Sequence, residues 1–414
     1  MDTLLKSVTV VHQASQYHLQ KVDILIEGGK ISKIGKNLSI KNGNVVQGNN
    51  LHCSIGLYDI GTHSGEPGFE HRETIDSLTK AALKGGYTSL AIFPDTKPIT
   101  QNKSQIQYLI NHPDNNNVNI QPIGALSKDM KGIDLGEYFD MCEAGAIAFG
   151  DGLASLQNSG LLSRALQYAS TTDKIIIHHP DDHSLSSGGE MHEGETSTLL
   201  GMKGQPSIAE IHAVQRDILL VDYNEGKLLI HAISASESVE GIKSSKKKNL
   251  STYASVSYLN LIFTDEKLMD FDQNLKVIPP IRSEKDRKAL IKGLKEGTID
   301  VIISNHVPLD EEVKNLEFPY AYAGASGIET CFVACLTYLK DELSLEVLIE
   351  KLTVNPRKLL NVKIPDIKEG EKADLCVFDT ECSWTYNKND VCSKSFNNPF
   401  IGKSFTSKVL YTIC

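Results

Sequence analysis

The sequence predicts an α/β fold: a (β/α)8 barrel of TIM type over residues 54–364, beside a small β-domain built from residues 1–53 and 365–414 together. Three patterns carry this expectation. Eight short apolar runs alternate with helical stretches through the middle of the chain, as parallel strands covered on both faces do. Both chain ends show β-like runs broken by turn residues instead. No internal repeat or low-complexity segment interrupts either pattern.

In the first segment the β-like runs are Val8–Val11, Val22–Ile26 and Lys30–Ile34, with Gly28-Gly29 as a turn. Barrel strands are expected at Leu57–Gly61, Tyr87–Pro94, Val118–Ala125, Ala146–Asp151, Lys174–His179, Lys227–Ser234, Thr252–Leu259 and Thr298–Asn305. Amphipathic stretches such as Ser207–Tyr223 and Glu284–Glu296 supply the helices between them. Beyond residue 365, Lys372–Asp379 and Ser407–Thr412 return to strand character.

With 414 residues, the chain has room for one large domain and a smaller one. Its net charge of -10 excludes nucleic acid and anionic membrane as main partners. The one dense basic run, Lys246-Lys247-Lys248, is expected in a solvated loop. Eight cysteines form no C-x-x-C pair, which points away from zinc ribbons and redox motifs. Met1–His12 lacks the pattern of a secretory signal, and no apolar run reaches the roughly 18 residues of a membrane span. A cytoplasmic chain with reduced thiols is expected.

Polar residues stand where the proposed strands end: Asp59, His63, Asp95, Asp151, His178, His179, His231, Asn305 and His306. In such a barrel these ends share one mouth, where active sites are built. Imidazoles and carboxylates converging on one cavity are how a barrel holds a divalent metal. Each alone has a plainer reading as a hydrogen-bonded strand-end residue, and any single histidine is more often that than a ligand. Their recurrence at five of the eight expected strands points to descent from a metal site. Elsewhere the plainer reading holds: a turn at Glu66-Pro67-Gly68, a loop at Met191-His192-Glu193, a helix start at Glu329-Thr330, and core packing for Cys331 and Cys335.

The stretch Gly56-Leu57-Tyr58-Asp59-Ile60-Gly61-Thr62-His63-Ser64-Gly65-Glu66-Pro67-Gly68 resembles the dihydroorotase signature G-L-I-D-x-H-x-H-x-R-E-P-G. The likeness continues through Glu73-Thr74-Ile75, Lys84–Thr88, Pro94–Pro98, Gly188–Gly194, Phe263–Glu266 and Asn274–Pro280. It ends with Gly327–Thr330, Asn355-Pro356 and Ala373-Asp374-Leu375, and so covers nearly the whole chain. The family it resembles is the bacterial type of dihydroorotase, also found in multifunctional pyrimidine enzymes. The resemblance implies an amidohydrolase-type barrel that uses zinc to hydrolyse a ring amide. It also implies a homo-oligomer and, for degenerate members, aspartate carbamoyltransferase as partner.

Measured against that family, this chain departs at many positions. Both histidines of the first family motif bind metal; here they fall at Gly61 and His63. The substrate-gripping arginine falls at Gly65, and two substrate asparagines fall at Asp95 and Ile278. The F-x-D-D-G stretch is shortened to Phe149-Gly150-Asp151-Gly152, leaving Asp151 as the metal-bridging carboxylate. His178 matches the ligand after strand five, but the next ligand position is Ala232, with His231 one residue early. In a strand that offset turns a side chain to the opposite face, so His231 serves only if a bulge re-aims it. The general-base aspartate is Asn305, and the last substrate histidine is Leu309.

Hydrolysis of a ring amide needs a metal-activated water and a base for its proton. An asparagine side chain supplies no carboxylate base. A lost arginine–carboxylate contact costs about 1.5–3 kcal/mol of binding. The expected function is therefore a dihydroorotase-like protein of pyrimidine biosynthesis that does not catalyse the family reaction. One alternative is an active zinc-dependent cyclic amidohydrolase holding at most one ion on His63, Asp151, His178 and a re-aimed His231. The other is a regulatory or small-molecule-binding protein whose mouth is enlarged by the glycines at 61 and 65.

Overall fold

The structure, a computed structural model, describes residues 2–116 and 118–414. All eight expected barrel strands are present: Leu57–Thr62, Tyr87–Ile92, Asn119–Gly124, Ala148–Gly150, Ile176–His178, Leu228–Ile230, Thr252–Ser257 and Val301–Ile303. They pair in chain order, each parallel to the next. Runs such as Leu228-Leu229-Ile230 and Val301-Ile302-Ile303 are fully buried, which explains why they are apolar without alternation. Asp59 brings the eighth strand back to the first. Its Oδ1 accepts the Ser304 N–H at 2.8 Å, and its Oδ2 accepts the Ser304 hydroxyl at 2.6 Å.

Helices between the strands start at side-chain caps. Thr74 accepts the Ser77 N–H at the start of Ile75–Gly85, and Gly86 ends that helix in a left-handed conformation. The long helix after the fifth strand, Ser207–Asn224, turns Ala213, Val214, Asp217 and Val221 inward. That stripe follows helical spacing and also buries Glu210, so two carboxylates are carried into the interior with the apolar groups.

Both chain ends meet in one sheet, ordered Lys408–Ile413, Leu375–Asp379, Leu51–Ile55, Thr3–Val10, Lys21–Glu27, Lys30–Gly35. Leu51–Ile55, a strand not expected from the sequence, runs antiparallel to Leu375–Asp379 and joins the two ends. This sheet has its own core, including Leu5, Val10, Ile24, Ile55 and Val377.

Two local expectations are corrected. Lys246 and Lys247 lie in the last turn of the helix Ser236–Lys247, not in a solvated loop. There the cations oppose the helix's negative end, and Lys246 Nζ binds both Asp300 oxygens at 2.7 Å. Met191-His192 is a short strand paired in parallel with Gly204-Gln205, within the excursion after strand five. Among the described residues no helix is long and apolar enough to cross a membrane.

Candidate active site at the barrel mouth

The first strand delivers His63 to the mouth. Its Nδ1 lies 2.5 Å from Asp95 Oδ2, so the carboxylate at a family substrate position orients an imidazole instead. Burial pushes the Asp95 carboxyl up, but the His63 charge and hydrogen bond outweigh it, and the group stays below its usual range. His63 Nε2 is buried and makes no hydrogen bond among the described residues.

Gly61 holds φ +88°, a conformation side chains rarely adopt. A Cβ built there falls 2.6 Å from Phe93 Cε2 and 2.6 Å from His231 Cε1. The space beside position 61 is therefore filled by two rings, which corrects the expectation that glycine enlarges the mouth. Phe93, fully buried, has its ring centroid 5.2 Å from that of His63 and 5.1 Å from that of His231. At Gly65 a Cβ meets the backbone oxygens of Glu73 at 2.7 Å and Phe69 at 3.0 Å. That glycine closes a turn rather than opening a cavity.

His231 reaches the mouth by a route that strand parity does not describe. The strand stops at Ile230, and Ala232 adopts φ +57°. The chain is no longer pleated at His231, so a one-residue offset no longer dictates its face. Ser255 Oγ lies 3.2 Å from its Nδ1, while Nε2 is buried without a hydrogen bond among the described residues. Burial drives the His231 imidazole well below its ordinary pKa, with His179 and His63 adding to the effect.

His178 and Asp151 are engaged elsewhere. His178 Nδ1 sits 2.6 Å from Oδ2 of the buried Asp217, whose Oδ1 takes Nε and Nη2 of Arg216 at 3.0 and 2.8 Å. His178 Nε2, the remaining lone pair, accepts the Leu156 N–H at 3.0 Å. Asp151 accepts the Leu126 and Ser127 N–H groups at 2.9 and 3.1 Å and the Ser127 hydroxyl at 2.5 Å. Burial pushes its carboxyl up, and these donors oppose the rise. His179 Nδ1 lies 3.2 Å from the His231 carbonyl oxygen.

Asn305, at the family's general-base position, has φ +46° and donates its Nδ2 to the Ile278 carbonyl at 2.9 Å. Two positions that the resemblance assigns to base and substrate are thus bonded to each other. Leu309 is buried, and its N–H meets Asn397 Oδ1 at 3.3 Å. His306, fully buried, stands 3.5 Å from Glu73.

The donor set does not fit the two-metal centre that the resemblance implies. Position 61 offers no ligand, the Phe93 ring packs against both His63 and His231, His178 spends its free lone pair on the Leu156 N–H, and Asp151 is bonded to two backbone N–H groups and the Ser127 hydroxyl. Among the described residues, no three His, Cys, Asp or Glu side chains are grouped so as to hold a metal ion. The structure sets His63 and His231 against one ring, Phe93, which the sequence did not single out, and neither did it single out Asp217 or Ser304. Asp217 carried a signal, an acid on the apolar stripe of a helix; Phe93 reads as an ordinary strand-end apolar residue.

The barrel and its two-ended sheet define the amidohydrolase fold. The amidohydrolase family model matches residues 160–414, and a dihydro-orotase-like model matches residues 53–238. A dihydroorotase of Acetivibrio thermocellus is 39% identical over 395 residues, covering 95% of this chain and 93% of that protein. One of Syntrophus aciditrophicus is 37% identical, covering 100% and 98%. The chain belongs to the dihydroorotase family. Its fold matches the L-hydantoinase (dihydropyrimidinase) of Arthrobacter aurescens with a TM-score of 0.85 at 21% identity, over 99% of this chain and 94% of that one.

Proposed function

We propose that this chain is a dihydroorotase-family protein of pyrimidine biosynthesis that keeps the barrel and does not hydrolyse dihydroorotate. One observation supports this above the rest: the Phe93 ring, with His231, fills the space beside Gly61 where the family places a ligand. Hydrolysis also needs a proton acceptor, and Asn305 is an amide bonded to a carbonyl. The role that remains for such a scaffold is assembly, as a homo-oligomer and as a partner of aspartate carbamoyltransferase. The exposed Ile208, Leu219 and Tyr223 on the helix Ser207–Asn224 favour a protein partner.

A second reading, a cyclic amidohydrolase with one zinc, draws support from the two buried Nε2 atoms of His63 and His231 that lack partners. It requires His178 to release the Leu156 N–H. The assay that separates the two follows dihydroorotate and carbamoyl aspartate interconversion by purified protein equilibrated with zinc. No turnover above the zinc-only background is expected; sustained turnover overturns the proposal.

A further inference from the structure

Beside the mouth, a cavity of about 390 Å³ is lined by Asp272, Leu309, Lys314, Lys388, Asn397 and Lys403, among others. Lys314 ends the short helix Glu311–Lys314 and is almost wholly buried. Its Nζ donates to the Tyr322 carbonyl at 2.9 Å and to the Lys276 carbonyl at 3.3 Å. Among the described residues it forms no ion pair. The neighbouring buried lysine makes the contrast. Lys276 Nζ donates to the Phe318 and Pro319 carbonyls, both at 2.9 Å, and pairs with the Glu190 carboxylate. Lys276 is a buried cation with its counter-charge, whereas Lys314 has two acceptors and none.

A buried ammonium lacking a carboxylate is costly, and the amine relieves that cost by giving up its proton. Burial pushes the Lys314 pKa down to about 7, with nearby Asp272 opposing the shift and Lys276 adding to it. As a neutral amine, Lys314 satisfies its two carbonyls with two N–H groups and keeps a lone pair, the state in which lysines attack carbonyl carbon. The same cavity holds the carboxylate Asp272, the carboxylate Glu311, which pairs with Lys388 at 3.1 Å, and the cation Lys403.

We propose that this cavity takes a small aldehyde or keto compound bearing an anionic group and holds it as an imine on Lys314. The Lys314 nitrogen attacks the carbonyl carbon and forms the C–N bond, while the carbonyl oxygen takes a proton. The resulting carbinolamine loses water to give C=N, so amine plus carbonyl becomes imine plus water with no change of oxidation state. Lys403 recognises the anion. This site is independent of whether the mouth hydrolyses dihydroorotate.

The test treats the full chain at pH 7 with glyoxylate or uncharged propanal and traps imines with cyanoborohydride, reading each lysine by peptide mass mapping. Glyoxylate should label Lys314 about ten-fold faster than the exposed Lys36 and Lys340. Labelling of Lys314 no faster than those two overturns the proposal. Lys403→Ala, at an exposed position, should slow glyoxylate labelling of Lys314 by about three-fold and leave propanal labelling unchanged. An unchanged glyoxylate rate overturns the assignment of an anion site.

Discussion

Phe93 meets His231 edge-on, the rings 86° apart in plane with centroids 5.1 Å apart, directly beside the empty side-chain position of Gly61. An aromatic ring thus occupies ground that the family gives to metal ligands. Gly61→Ala drives a methyl into both rings and forces a side chain into φ +88°. A loss of about 1–3 kcal/mol in urea unfolding is expected. The double variant with Phe93→Ala should lose less than the sum of the single changes, because the removed ring is one of the two obstacles. Strict additivity would show that Phe93 does not fill that space.

Asn305→Asp restores the acid of the family motif in name only. The Ile278 carbonyl loses its donor and gains an anion opposite it. The variant should be less stable by about 1–3 kcal/mol and gain no dihydroorotate turnover. Recovery of hydrolysis by this change alone would mean that the remaining machinery is intact.

Asp217→Ala removes the carboxylate that orients His178 and neutralises Arg216 deep in the barrel wall. Breaking a buried pair from one side is expected to cost about 3–5 kcal/mol, measured by denaturant unfolding. A cost under about 1 kcal/mol would assign the His178 orientation to the Leu156 N–H instead.

Much of the fold was legible because barrel strands are covered on both faces. Leu228–Ile230 and Val301–Ile303 show as continuous apolar runs whatever their neighbours do. Leu51–Ile55 escaped notice because its mixed sequence is paired by a strand over 300 residues away along the chain. The site was legible at Asp59, His63, Asp95 and Asn305 as positions rather than roles: Asp95 holds His63, and Asn305 holds the Ile278 carbonyl. It failed at His231 because pleat parity holds only within a strand, and nothing in an alanine announces the positive φ at 232. It failed at Gly61 because a missing side chain does not say which neighbour moves in.

Lys314 also gives stability a pH dependence with a defined sign. Its amine loses its proton near pH 7 when folded and near 10.5 when unfolded. Between those values the unfolded chain binds more protons, so stability rises with pH, by at most about 1.4 kcal/mol per unit from this group. The contribution is absent above the unfolded value and fully unfavourable below pH 7. Urea unfolding of the wild type and Lys314→Met from pH 7 to 10 should differ in slope, with the variant flatter. Parallel profiles would mean that Lys314 stays charged.

The scaffold-without-centre reading is tested most directly by zinc content after equilibration with excess zinc and removal of the free ion. Fewer than one tightly bound zinc per chain is the expected result, because Gly61 supplies no donor and His178 and Asp151 are already committed. Two zinc ions per chain, lost together when His63 and His178 are replaced by alanine, would contradict it.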